Sequence, residues 1–369
     1  MKYNRIKSVD IFRGLCMSWM IIGHLVDWWT SPEDYWIFTL LTKIFEPIGA
    51  SGFLFISGVS IKLSYRNRLL RIKNQEDYNY RMVRYTYFFR ALFIFIVAII
   101  YNFTTVLRVN DLSMIWTWFV LLTVSISLFL GWPFLKTKKF FRICAAITII
   151  ILQQFIRLWL FPYEGNSNIY GVIFHILYNG KTQDPILVFF PYFLIGTVLG
   201  DFYFETFYLD KKEKIGKNFI KKIFLPCCLI GVSLIIFGIL FEFPRFQSRQ
   251  TFSWILYSLG IEITLISILV FLEKFNYLQT KKSYKLLFYF SFYSLTIYLG
   301  HNLLYFLFLD KLNIITLWIP ILVAYISLTL ILRIIYKLWK EKASIKAYIA
   351  KMSLYLTLKI EDRINKKIS

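Results

Sequence analysis

Apolar runs long enough to cross a membrane recur from one end of this chain to the other, and the loops between them alternate between rich and poor in Lys and Arg. About 18 apolar residues suffice to span the roughly 30 Å of bilayer hydrocarbon as a helix. Ten such runs can be drawn, at roughly 9–30, 48–65, 83–104, 112–132, 140–161, 186–205, 223–241, 251–273, 285–309 and 313–336. Residues 34–46 predict a short helix lying at the interface. The chain is 58% hydrophobic and 20% aromatic, against about 45–50% apolar in soluble domains. The expected fold class is therefore all-α, a polytopic membrane protein of about ten helices.

The formal charge of +22 could suggest a nucleic-acid partner. Its distribution argues against one, because Lys and Arg gather in alternate loops rather than along one stripe. Lys2, Arg5 and Lys7, then Lys62 to Arg84, Lys136 to Arg142, Lys211 to Lys222, Lys274 to Lys285 and the C-terminal tail are basic. The intervening loops carry isolated charges such as Lys43, Arg108, Lys181, Arg249 and Lys311. The positive-inside rule then predicts ten spans with both ends cytoplasmic, in a multi-pass protein of the cell membrane that touches anionic lipid. The opening residues lack a cleavage-site pattern, so the first run is expected as a retained span.

Two segments lie outside the spans. Residues 162–185 form the longest outer loop, read equally as a cap over a cavity or a plain connector. Residues 341–369 form a basic tail, expected as a helix on the inner surface, so the chain divides into a membrane domain at 1–340 and this tail. Cys16, Cys144, Cys227 and Cys228 fall in apolar segments without metal spacing and read as small core hydrophobes.

The spans are not wholly apolar. In SVDIFRGLCMSWMIIGHLVD, Arg13 and His24 are eleven residues apart, which returns them to within about 20° on a helix and about 16 Å along it. Asp10 precedes Arg13 by three residues and can pair with it. Each ionisable group at such depth costs roughly 2.5–3.5 kcal/mol on insertion scales, so it faces protein or a water-filled cavity. A structural pair beside a packing histidine is the plain reading of these three alone. His301 in the ninth run lies at a similar depth to His24, and Glu262 is a carboxylate near mid-membrane. Gln153, Gln154, Arg157 and Ser57 add polarity in other spans. Converging on one cavity, they would supply a base, an orienting acid and donors for a developing oxyanion. Arg84 is ordinary flanking charge. Arg90 lies deeper, and with the basic loop that includes Arg66 it could take the phosphates of a cytosolic donor. The small residues of GASGFLFISGVSI suit close helix packing foremost, or the approach of a backbone to a ligand. The sequence contains no Walker loop, GxGxxG, CxxC, HExxH or GxSxG, and no metal site is expected.

RGLCMSWMIIGH, with SVDIFRG before it and FLFISGVSI and SLTIYLGH later, resembles the acyltransferase-3 family of membrane acyltransferases. The wider superfamily includes heparan-α-glucosaminide N-acetyltransferase-like proteins and membrane proteins that succinylate glucans. His24 matches the acyltransferase-3 and glucan-succinylating patterns, whereas DIFRG and ISGVSI lean to the heparan-type branch. The resemblance implies transfer of an acyl group, with acetyl foremost, from cytosolic acyl-CoA to a sugar or glycan acceptor on the outer side. It implies His24 as general base or acyl carrier and Arg13, braced by Asp10, in donor binding. Arg84, Arg90, Arg66 and Ser57 would bind the acyl-CoA, and His301 and Glu262 would assist proton transfer or orient the acceptor. A secondary transporter of an anionic solute is the rival reading of the same buried charges. The oligomeric state stays open, a homo-oligomer included.

Overall fold

The computed structural model describes residues 6–74, 78–179, 183–209, 219–278 and 284–368. The expected inner-loop charges Lys2, Arg5, Lys211, Lys212, Lys214, Lys217, Lys281 and Lys282, and the outer Lys181, lie outside them. Among the described residues the regular elements are all helices, joined by turns and irregular connections, and one isolated bridge links Thr30 and Leu312.

The helices are α1 (Lys7–Trp29), α2 (Trp36–Phe45), α3 (Ala50–Asn74), α4 (Tyr80–Val109), α5 (Val120–Leu135), α6 (Lys139–Leu160) and α7 (Ile169–Leu177). There follow α8 (Ile186–Phe204), α9 (Leu225–Phe241), α10 (Phe252–Lys274), α11 (Lys285–Phe292), α12 (Ser294–Gly300), α13 (Trp318–Leu338) and α14 (Ile345–Ile368). Eight helical stretches among the described residues are long and apolar enough to cross a membrane, one of them containing both α2 and α3. This is the fold of an integral multi-pass membrane protein.

Two of the ten expected crossings fall short of that length. The run drawn at 112–132 starts late as a helix because the Asp111 side chain accepts a hydrogen bond from the Ser113 amide at 2.9 Å. That bond folds Leu112–Trp116 into a 3-10 turn and leaves α5 with 16 residues. The run at 285–309 is divided. Tyr293, at φ −95° and ψ 17°, separates α11 from α12, and His301–Leu304 continues as a 3-10 turn.

α1 and α8 are mostly enclosed by protein, while α4, α6, α9 and α13 leave apolar side chains facing outward, as lipid-facing helices do. Close backbone approach sets the centre. A Cβ at Gly58 of α3 would lie 2.1 Å from the Phe193 carbonyl oxygen of α8, and one at Gly196 would lie 2.1 Å from that of Phe55. The small residues of the second run therefore serve helix packing. All four cysteines are free, and Cys16 and Cys227 are buried.

The tail is a helix, but its contacts differ from those of a helix resting on lipid alone. Ile349, Ser353, Thr357 and Glu361, spaced by four, form a buried stripe on α14. Thr357 bonds Thr86 of α4 at 3.2 Å, and Glu361 meets Asn79 at 3.3 Å and Arg81 at 3.6 Å. The other face keeps Tyr348, Met352 and Tyr355 exposed.

Candidate active site

His24 and His301 meet. Their ring centroids are 5.1 Å apart, and Trp28, one turn beyond His24, stacks on both at 5.0 and 5.4 Å. The position follows from helix geometry: His24 and Trp28 share a face of α1, and the turn that ends α12 brings His301 to the same level. His301 is buried, and its Nδ1 lies 2.6 Å from the Tyr298 carbonyl oxygen. A carbonyl only accepts, so Nδ1 carries the proton and a neutral His301 presents Nε2 as a lone pair. Tyr298 packs on His301 at 5.6 Å and on Tyr101 at 5.4 Å, and the Tyr101 hydroxyl accepts from Asn302 at 2.9 Å.

Arg13 lies about three turns below, towards the N-terminal end of α1. Its guanidinium donates to Ser60 of α3 and, at 3.3 Å, to Ser291 of α11, and it is 3.8 Å from Asp10. The Ser291 hydroxyl in turn donates to Asp10 at 3.0 Å. A cavity of about 290 Å³ opens beside it. Arg13, Ser57, Ser60, Arg90, Ser294 and Lys346 supply polar lining, Val120 and Leu121 add apolar wall, and Tyr298 lines it beside His301. Tyr298 thus faces the cavity on one side and His301 on another.

The remaining predicted residues divide. Ser57, Arg13 and Arg90 share this cavity. Arg66 lines a different one, and Arg84 is exposed, its guanidinium over the Tyr85 ring at 5.3 Å. Glu262 is fully buried in α10, in the electrostatic surroundings of Ser51, Cys16 and Tyr192. It does not line the cavity. Gln153 and Gln154 engage the connections that follow α7 and α9: Tyr178 donates to the Gln153 carbonyl at 2.9 Å, and Gln154 donates to the Gln250 carbonyl at 3.2 Å.

One group escaped the sequence reading. Arg249 bridges Glu46, at 3.1 Å, and Asp184. Burial pushes the Asp184 carboxyl up to about 7; Arg249 opposes that shift and Glu46 adds to it. Burial works against the Arg249 charge, but Glu46 and Asp184 outweigh it and hold the guanidinium protonated. The three residues come from three separate connections, so no spacing along the chain announces them. The 162–185 loop takes part: Trp116 and Trp118 donate to the Ile176 carbonyl at 3.1 and 3.0 Å, and the Asp184 amide bonds the Trp118 carbonyl at 2.7 Å.

The structure thus holds a histidine pair, an arginine bonded to two hydroxyls and one carboxylate, and a cavity that Arg13 and Tyr298 line. A family model described as an acyltransferase domain, of the acyltransferase-3 type, matches residues 6–337. No curated protein and no solved structure matches the chain.

Proposed function

The chain belongs to the acyltransferase-3 family, and on that premise we propose that it moves an acyl group, acetyl foremost, from cytosolic acyl-CoA to a sugar or glycan acceptor at the outer face of the cell membrane. The observation that carries this reading is the cavity with Arg13 and Arg90 in its lining, extending to Tyr298 beside the histidine pair. Its volume, about 290 Å³, lies at the low end for small-molecule sites and suits a slender acyl-pantetheine arm. Arg13, Arg90 and Lys346 would receive the donor's phosphate end, and Ser57 would line the path of the arm. The short α5 and the divided α11–α12 complete ten crossings in this reading, with both ends of the chain cytoplasmic.

The chemistry is written on His24 and His301. The acceptor hydroxyl or amine attacks the thioester carbonyl carbon while one imidazole removes its proton. The C–O or C–N bond forms, the C–S bond breaks, and the departing thiolate takes up a proton as free CoA. Trp28 holds the two rings together. The Tyr298 carbonyl fixes the His301 tautomer, leaving Nε2 to accept, and His24 serves as base or acyl carrier. Arg249, flanked by Glu46 and Asp184, offers a fixed cation near the point where negative charge develops. Glu262 acts through the packing of α10 rather than by touching the substrate.

The testing experiment incubates purified protein in nanodiscs with radiolabelled acetyl-CoA, wild type beside His24→Ala. CoA release or protein-bound label in the wild type, lost in the variant, supports the reading. Absence of turnover with acetyl and with longer acyl donors overturns it. One observation favours a transporter instead: the interruption at Tyr293 beside a cation-lined cavity is a feature of solute sites built on broken helices. That reading predicts uptake of an unaltered anion into proteoliposomes.

A further inference from the structure

A second cavity, of about 760 Å³, lies on the far side of α3 between α5, α6 and α8. The separation follows from the helix itself. Ser57 and Arg66 are nine residues apart, about two and a half turns, so they point in opposite directions. Six cationic side chains line this cavity: Lys62, Arg66, Lys136, Lys138, Lys139 and Arg142. The carboxylates facing them are Asp201 and Glu205.

The charge is out of balance where it is most deeply buried. Asp201 is shared by Arg142, by Lys62 at 3.2 Å and by Arg66 at 3.4 Å. Lys62 and Arg142 are themselves buried. Lys62 spends a further proton on the Leu135 carbonyl at 2.6 Å, and Arg142 another on Thr197 at 2.9 Å. Arg142 Nε, fully enclosed, has no hydrogen-bond partner. One carboxylate cannot neutralise the two buried cations Lys62 and Arg142, and buried charge left uncompensated is strongly unfavourable. Glu205 is engaged by Lys139 at 2.6 Å and by Arg66 at 3.9 Å.

The start of α6 gives an independent indication. Lys138 caps this 22-residue helix with no side-chain hydrogen bond to its free amides, and Lys139 is its first residue. A helix N-terminus already carries partial positive charge and favours acids. Two lysines there, lining a cavity with four more cations, become favourable when an anion sits among them. Phe140 and Phe141 in the same turn are exposed, which sets the cavity mouth beside the apolar boundary.

We propose that this second cavity is a binding site for a phosphate-bearing anion, either a phospholipid headgroup or a soluble phosphate, distinct from the cavity that holds Arg13 and Arg90. Arginine forks and flexible lysines together suit a tetrahedral anion with several acceptor oxygens. The proposal does not depend on the acyl-transfer reading, because it concerns the opposite face of α3.

The test uses delipidated full-length protein in detergent, with native mass spectrometry and thermal unfolding as readouts. One arm adds phosphatidylglycerol or phosphatidylcholine, and the other adds inorganic phosphate or chloride at equal ionic strength. The variant is Lys136→Ala with Lys138→Ala, two exposed positions whose loss leaves the buried pairs in place; Lys62→Met probes the interior. Phosphatidylglycerol retained at least fivefold more tightly by wild type than by the double variant identifies a headgroup site. Stabilisation by inorganic phosphate, lost in the double variant, identifies a soluble ligand. Equal behaviour of wild type and double variant in both arms overturns the proposal, whether or not Lys62→Met folds.

Discussion

The two faces of α3 hold arginines in opposite ways. On one face Arg13 rests on the hydroxyls of Ser60 and Ser291, with Asp10 at 3.8 Å and Ser291 bonded to both. On the other face Arg142 is joined directly to Asp201, with Lys62 and Arg66 crowding the same carboxylate. The hydroxyls orient the Arg13 guanidinium and Asp10 offsets its charge from 3.8 Å, so that face holds its arginine in a mixed network beside the first cavity. The carboxylate locks Arg142 in place, and the surplus charge spreads over its neighbours. A positioned arginine and a structural one therefore differ in their partners more than in their burial.

The comparison can be broken most directly at the histidines. His24→Ala is expected to lower acyl transfer by about 10²–10⁴-fold, the range of a general base, with an unchanged elution profile on size exclusion. Turnover that persists in this variant would move the chemistry away from α1. The next largest effect falls on the other face. Asp201→Asn leaves buried cations without their counter-charge and should destabilise the fold by about 3–5 kcal/mol in denaturant or thermal unfolding. Arg13→Lys should barely move stability but raise KM for the donor about tenfold, because an ammonium cannot reach Ser60, Ser291 and an incoming phosphate together. If Arg13→Lys and Asp201→Asn showed the same loss of stability with unchanged KM, the distinction between the faces would fail. Ser291→Ala removes one hydrogen-bonded brace and should cost about 1 kcal/mol, read as a modest rise in KM.

The smallest effect concerns Asp184. Its folded pKa of about 7 exceeds the ordinary 3.8, so the folded state holds a proton that the unfolded chain has released. Its stabilising share is complete below 3.8 and is lost as the pH rises through about 7. Asp184→Asn should flatten the fall in thermal stability between about pH 4 and pH 7, the interval between the two pKa values. An unaltered pH profile in the variant would remove Asp184 from the outer cluster's titration.

Much of this arrangement was legible in the chain. Hydropathy and the alternation of basic loops gave the helical spans, since both report directly on lipid and surface charge. Placing His24 and His301 at one depth followed from two runs crossing in the same direction. The opposite orientation of Ser57 and Arg66 was also present in their spacing, although the family resemblance grouped them at one donor site. Other features depended on tertiary contact. Asp111 shortened α5 by a local turn that hydropathy does not register. Glu46, Asp184 and Arg249 sit on connections far apart in sequence, and only the folded bundle makes them neighbours. Glu262 reads as a site residue by its charge and depth, yet it is fully buried and does not line the cavity.

The match to the family stops at residue 337, yet Lys346 and Ile349 of α14 form part of the first cavity's wall, and Lys346 donates to the Ser291 carbonyl at 2.7 Å. The cavity wall therefore includes side chains from outside the matched segment. Substitutions along residues 345–361 would then retune what the cavity admits with His24 and His301 untouched.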